Sequence, residues 1–228
     1  MGLFLNYFSG ARGDFLINCL VDHSDSINFL ENYIKAPANI STSAKMHSDV
    51  SKGLHTQIPN FKKSINTWHE LFDEVNKHNL VKIKIITSTL TERIDAMWFF
   101  YVKCKIDGRD SKLYITPDKV LDTREIIKKF GIDIIPYGVV YDIPHAENLD
   151  KNFQHEYDYI VNFADLFDID YIKDLYVKIN EKHMPYDKER AIIKNISMQQ
   201  RLSETEYFLL VEKKCQDLMS NNNDYNIE

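Results

Sequence analysis

Five consecutive residues, Gly10-Ala11-Arg12-Gly13-Asp14, carry the clearest chemical signal in the chain. The two glycines bare their backbone N–H groups, Arg12 adds a guanidinium, and helical spacing begins directly behind them, so a helix dipole acts on the same small volume. Together these groups suit a phosphate or a sulfate. The lysine and hydroxyl of the phosphate loop G-x-x-x-x-G-K-[ST] are missing, which speaks against ATP phosphoryl transfer with a loop-bound magnesium. A second reading fits the same residues: a tight strand-to-helix turn capped by Asp14, whose carboxylate stands where an anion would sit. The adhesion tripeptide spelled by Arg12-Gly13-Asp14 is coincidence in a chain that shows no export signal.

Other constellations carry less. His145 and His155 flank Glu147, Asp150 and Glu156 at spacings that match no metal signature, and the stretch reads as a solvated acidic loop. Aromatic residues around Trp68 and Trp98 recur at the spacing of a buried helix face. Serine-hydrolase elbows and Cys-His nucleophile signatures do not occur. Three cysteines, Cys19, Cys104 and Cys215, are widely spaced and odd in number, which fits neither a disulfide framework nor a zinc site and points to a reducing compartment.

The elements that must position these residues follow from periodicity. Gly2 to Phe8 runs apolar without alternation, as a strand covered on both faces does in a parallel sheet. Behind the glycine loop, Phe15, Leu16, Cys19, Leu20, Ile27 and Leu30 recur at helical spacing. Residues 36 to 60, with Pro37, Pro59, His47 and His55, show weak periodicity and read as a long, partly irregular connection. Ile65, Trp68, Leu71, Phe72 and Val75 line one helix face, and Leu80 to Ile86 alternates as a β-branched strand. Thr87 to Glu92 then caps a helix with Ile94, Met97, Trp98 and Tyr101 inward.

Further on, Gly108 to Asp110 is a turn, residues 112 to 116 read as a short strand, and Pro117 opens another helix. Ile132 to Ile143 is apolar but interrupted by Pro136 and Gly138, and Pro144 to Gln154 reads as a loop. Tyr157 to Phe163 is a further strand candidate, and three helices near 170–182, 187–201 and 203–219 precede a polar tail at 220–228. Strands separated by helices imply an α/β three-layer sandwich with a mostly parallel sheet, residues 1–219 forming one domain whose part at 170–219 is helical.

Composition sets outer bounds. Of 228 residues, 44% are hydrophobic and 27% charged, which excludes a disordered or low-complexity chain. Asp and Glu number 34 against 28 Lys and Arg, a net charge of −6 that argues against a broad nucleic-acid surface while leaving room for one local basic site. No run of about 18 apolar residues occurs, so a membrane span is not expected, and a cytoplasmic location is. The abundance of Asn, Lys, Ile and Asp suggests an AT-rich genome such as that of a virus.

The order of motifs resembles the sulfotransferase family, a P-loop-related α/β fold whose first strand-loop-helix holds the 5′-phosphosulfate of PAPS. Gly10 to Leu16 is similar to its loop G-x-x-[RK]-S-G-T-T-x-L, with Arg12 at the basic position and the serine and threonines absent. Lys52-Gly-Leu-His55-Thr-Gln-Ile-Pro59 resembles its Lys-Thr-His-Leu-Pro segment. Leu80 to Phe100 is similar to K-I-I-x-x-x-R-x-P-x-x-R-x-x-S-x-x-x-F, where Arg93 fits the second arginine, and Ser88 and Ala96 stand at the arginine and serine that hold the 3′-phosphate. Tyr159 to Leu166 resembles the strand V-x-Y-E-D-L.

The resemblance implies PAPS as cofactor and in-line transfer of a sulfuryl group to the hydroxyl of a small molecule or glycan, with no metal. Arg12 and the loop of Gly10, Ala11, Gly13 and Asp14 would hold the phosphosulfate, and Ser88 and Arg93 would lie at the second phosphate. His55, or failing it His47, would take the acceptor's proton, and Lys52 would supply a further positive charge. Two other readings stand beside this nucleotide-binding transferase. One is a catalytically silent relative serving as a binding or assembly module with a protein partner, for example a phage protein in the host cytoplasm. The other is a divergent nucleotide or nucleoside kinase.

Overall fold

The computed structural model describes residues 3–8, 10–20, 33–34, 44–47, 67–77, 79–106, 123–148 and 151–221. Strand β1 (Leu3–Phe8) is buried along its whole length, as its unbroken apolar run requires. It pairs in parallel with β4 (Val81–Ile86), and β4 pairs in parallel with β5 (Tyr159–Asn162), so Leu5, Ile83 and Tyr159 lie in one row. On the other edge β3 (Ala44–His47) runs antiparallel to β1 and β2 (Tyr33–Ile34) antiparallel to β3, giving the order β2-β3-β1-β4-β5. The sheet is therefore mixed. Its parallel part, β1, β4 and β5, comprises strands read from the sequence, and its antiparallel part comes from a region whose residues show no strand pattern.

Side chains alternate along β1, so Tyr7 and Phe4 face opposite ways. Helix α1 (Gly13–Leu20) comes so near Tyr7 that a Cβ on Gly13 would lie 2.2 Å from its ring. On the other face, Phe72 of α2 (Trp68–Lys77) meets Phe4 edge-on at 6.0 Å and stacks with Phe153 at 5.3 Å. Helices thus cover the sheet on both sides, an α/β fold, and each fully buried large apolar side chain stabilises it by about 1.5–3 kcal/mol.

Helix α3 (Leu90–Ile106) follows β4, and α4 (Thr123–Phe130) follows the next stretch of chain. The interrupted apolar run 132–143 is helical from Ile134 onward: α5 (Ile134–Tyr137) passes into a π turn at Gly138–Asp142 and then into α6 (Ile143–Asn148). Pro136 lies in the first turn of α5, where no donor is needed. Ile143 donates to Gly138 O, five residues back, so the ladder has changed register just before Pro144, which has no donor to give. The segment 144–154, expected as a loop, instead holds α6 and most of a 3-10 helix at Lys151–Glu156.

A second 3-10 helix, Phe163–Phe167, leads from β5 to α7 (Ile169–Asn180), whose N-cap Asp168 accepts from the N–H groups of Asp170 and Tyr171. Then come α8 (Tyr186–Ser197), a 3-10 turn at Leu202–Glu204 and α9 (Phe208–Asn221), within a few residues of the three helices read from the sequence. The strand expected at 112–116 and the helix at Pro117 lie outside the described residues.

Candidate functional site

The carboxyl ends of β1, β4 and β5 point to one side, where parallel α/β sheets place their ligands. The loop after β1 is tight. Ala11 N donates to Phe8 O at 3.1 Å, and Gly10 adopts φ 93 with the helix α3 backbone pressed on it: a Cβ there would lie 2.1 Å from Ala96 O. Ala96 is itself fully buried, and it stands at the position where the resemblance expects a serine. Both glycines therefore have a packing reason, Gly10 against α3 and Gly13 against Tyr7.

Arg12 takes the left-handed conformation, φ 59, and is only 7% exposed. Its guanidinium lies against Phe99 of α3 at 4.1 Å, Phe167 at 4.9 Å and Phe163 at 6.0 Å, and donates Nη1–H to Gln199 Oε1. Its Nε is buried with no hydrogen-bond partner. Burial pulls the guanidinium down to about 9, with Asp95 opposing the shift and Arg201 adding to it, so the group stays charged at neutral pH.

Asp95, 1% exposed, ties the connection between α8 and α9 to this place. It accepts from Arg201 Nε at 2.9 Å, from Ser203 N at 2.9 Å and from Ser203 Oγ at 2.8 Å. Arg201 also lies 4.8 Å over Phe167. The carboxylate is thus paired with Arg201, and its charge also acts on Arg12.

After β4, the free donors at the start of α3 are met from within the chain. Glu92 accepts from Ser88 N and, at 3.3 Å, from Thr89 N, while its own N–H donates to Thr89 Oγ1 at 3.2 Å, a capping box. Ser88 Oγ donates to Asn162 Oδ1 at 2.7 Å, linking the ends of β4 and β5. Arg93 points elsewhere: its Nε is buried without a hydrogen-bond partner, and its charge acts on Glu147 and Cys215.

Of the residues singled out from the sequence, Gly10, Ala11, Arg12 and Gly13 form one loop and helix start, whereas Ser88 lies in the loop after β4 and Arg93 in the first turn of α3, each with different partners. Asp14 sits in the first turn of α1, and its side chain lies outside the described residues, as do Lys52 and His55 entirely. His47 ends β3.

Glu147, read from the sequence as part of a solvated loop, is half-buried on α6. Its Oε1 accepts from Thr87 N at 2.6 Å and from the Thr87 hydroxyl, and its backbone O accepts from Lys84 Nζ at 3.2 Å. Burial pushes its carboxyl up, with Thr87, Arg93 and Lys84 pulling the other way. The sequence signal that would have found it is the spacing of Ile143 and Ala146, both buried, which marks a short helix despite Pro144.

A raised folded-state value means the ionised form is penalised in the fold, so Glu147 costs stability once the pH rises above the ordinary carboxylate range. Glu147→Gln is therefore expected to melt a few degrees above the parent at pH 7. The gap should close as the pH falls through 4.5, which thermal melts across pH 3.5–7.5 will show. A gap that widens on acidification would contradict this account.

Among the described residues no group of three His, Cys, Asp or Glu could hold a metal ion, and no helix is long and apolar enough to cross a membrane. Compared with known proteins, the chain matches no family model, no curated protein and no solved structure.

Proposed function

We propose that this is a sulfotransferase-like α/β protein whose anion-binding loops have become packing, and that it acts without catalysis, as a binding or assembly protein. The observation that carries the proposal is the burial of Arg12 against Phe99 and Phe167, with Gln199 accepting its hydrogen bond. Protein groups stand at both positions where the resemblance would put the phosphates of PAPS. Gln199 is at the guanidinium of Arg12, and the Glu92 carboxylate is at the N–H groups of Ser88 and Thr89. A carboxylate already on those donors repels a phosphate.

Sulfuryl transfer is the second reading, and the buried, unpartnered Nε of Arg12 favours it, since an anion's oxygen would satisfy that donor. Thermal melts with PAPS, with its bisphosphate product and with ATP decide between them. A ligand at about a hundred times its Kd stabilises by roughly 2.7 kcal/mol, which for a chain of this size is a shift of roughly 5–10 °C. The expected result is no shift with any of the three. A shift with PAPS that Arg12→Ala abolishes would restore the transferase, and one with ATP alone would favour a kinase.

A further inference from the structure

The link between α8 and α9 closes over Arg12 and leaves polar atoms unmatched. Of the guanidinium's N–H donors, Nη1 alone finds an acceptor among the described residues, Gln199 Oε1, although the residue is only 7% exposed. Nε is buried with none, and in the link Gln200 Oε1 is likewise buried without a donor. Buried polar atoms are normally paired, so these two mark a place where the closed arrangement is incomplete.

Gln199 is the group in the way. Its Oε1 accepts from buried Arg12, while its Nε2 donates to Oδ1 of exposed Asn195 at 2.7 Å. Gln199, Gln200 and Arg201 are all half-buried, so this stretch forms the outer wall over the guanidinium. Further along, Arg201 and Ser203 are fastened to Asp95. A swing of the Gln199 side chain, with the clamp on Asp95 intact, opens the path from solvent to Arg12.

Charge and shape decide what fits. The guanidinium groups of Arg12 and Arg201 and the carboxylate of Asp95 sum to a single positive charge. A monoanion cancels it, whereas a dianion leaves excess negative charge beside Asp95 in a poorly solvated place. Phe99 and Phe167 lie against the guanidinium carbon at 4.1 Å and 4.9 Å, so a ligand meets the N–H edge, whose paired donors match the two oxygens of a planar carboxylate. Both rings are half-buried and offer aromatic surface to an apolar body behind that carboxylate.

On the reading of this chain as a binding protein without catalysis, on which the inference rests, we propose that Arg12 binds a small apolar monocarboxylate. The ligand displaces the Gln199 amide and takes two guanidinium N–H groups, the orphaned Nε among them, where Gln199 takes one. A charged acceptor thereby replaces a neutral one.

The test is sodium benzoate titrated into the isotope-labelled, full-length protein at pH 7, read by NMR at the Arg12 Nε–Hε signal and at backbone amides. Benzamide and phenyl phosphate are the neutral and dianionic counterparts. Benzoate is expected to shift the signals saturably and to bind at least about tenfold more tightly than either counterpart. Gln199→Ala should tighten benzoate binding by roughly threefold, because the competing amide is gone. Gln199→Glu, which sets a carboxylate on Arg12 from within the chain, should abolish benzoate binding and raise the melting temperature. No benzoate response in the parent and in Gln199→Ala, phenyl phosphate binding as tightly as benzoate, or benzoate binding that survives Arg12→Met would each overturn the proposal. The wider reading stands or falls separately, on the melts with PAPS and ATP.

Discussion

Gly10→Ala is expected to lower the melting temperature by roughly 10 °C. Two costs coincide at this position. The backbone sits at φ 93, which a side chain rarely adopts, and the new Cβ would lie 2.1 Å from Ala96 O and 3.0 Å from Phe100 Cβ. The atom in the way is backbone in the middle of a 17-residue helix, so relief requires α3 to move off the sheet. A cost of about 3 kcal/mol follows, and each kcal/mol is worth roughly 2–4 °C in a chain of this length. Gly131→Ala is the control. Its φ is 74 but a Cβ there meets nothing within 4 Å, so it bears the conformational cost alone, about 1 kcal/mol. Calorimetry on both variants isolates the steric part, and equal losses would mean that α3 does not press on the loop.

Asp95→Ala should cost about 3–5 kcal/mol, because it removes three hydrogen bonds, unpairs Arg201 and leaves the mutual repulsion of Arg12 and Arg201 without the carboxylate's opposing charge. Arg12→Met should behave in the opposite manner. It keeps an unbranched side chain against Phe99 and Phe167 and removes a group whose charged form the fold penalises. The sign is fixed by direction: a base drawn from 12.5 to about 9 by burial weighs against folding at every pH below 9, so its loss relieves the folded state. The net change should stay within about 1 kcal/mol, the relief offsetting the lost cation-ring attraction. Urea unfolding of the two variants at pH 7 measures the asymmetry. If Arg12→Met proves as damaging as Asp95→Ala, the guanidinium is making an indispensable contact, and the packing account of the loop fails.

The sequence is most informative where a strand's own residues decide its fate. Leu3 to Phe8 and Val81 to Ile86 are legible because apolar and β-branched runs have few alternatives to a buried sheet. Lys84 shows the limit: alternation in β4 suggests a solvated lysine, yet the sheet is covered on that face too and Lys84 is 3% exposed. Strand β3, Ala-Lys-Met-His, has no pattern of its own and forms through its partner β1.

The candidate site divides in the same way. Gly10 and Arg12 are visible as a loop because they are adjacent in sequence. Their surroundings are not, since Phe99, Phe167, Asp95 and Gln199 come from α3, the turn after β5 and the link before α9. No periodicity marks a residue as the partner of another ninety positions away. Glu147 was obscured for a local reason, as two turns of helix containing a proline look like a loop.

The clamp on Asp95 bears on how the chain is made as well as on how it stands. Its partners Arg201 and Ser203 lie 106 and 108 residues downstream. A ribosome delivering the chain from its N-terminus exposes the sheet strands, the glycine loop and α3 long before those partners exist. Until residue 203 emerges, Asp95 has none of them, and the rings around Arg12 lack the segment that covers them. The nascent protein is then a sheet with an unsealed seam, open to water and to chaperones, and it closes only when the link between its last two helices arrives.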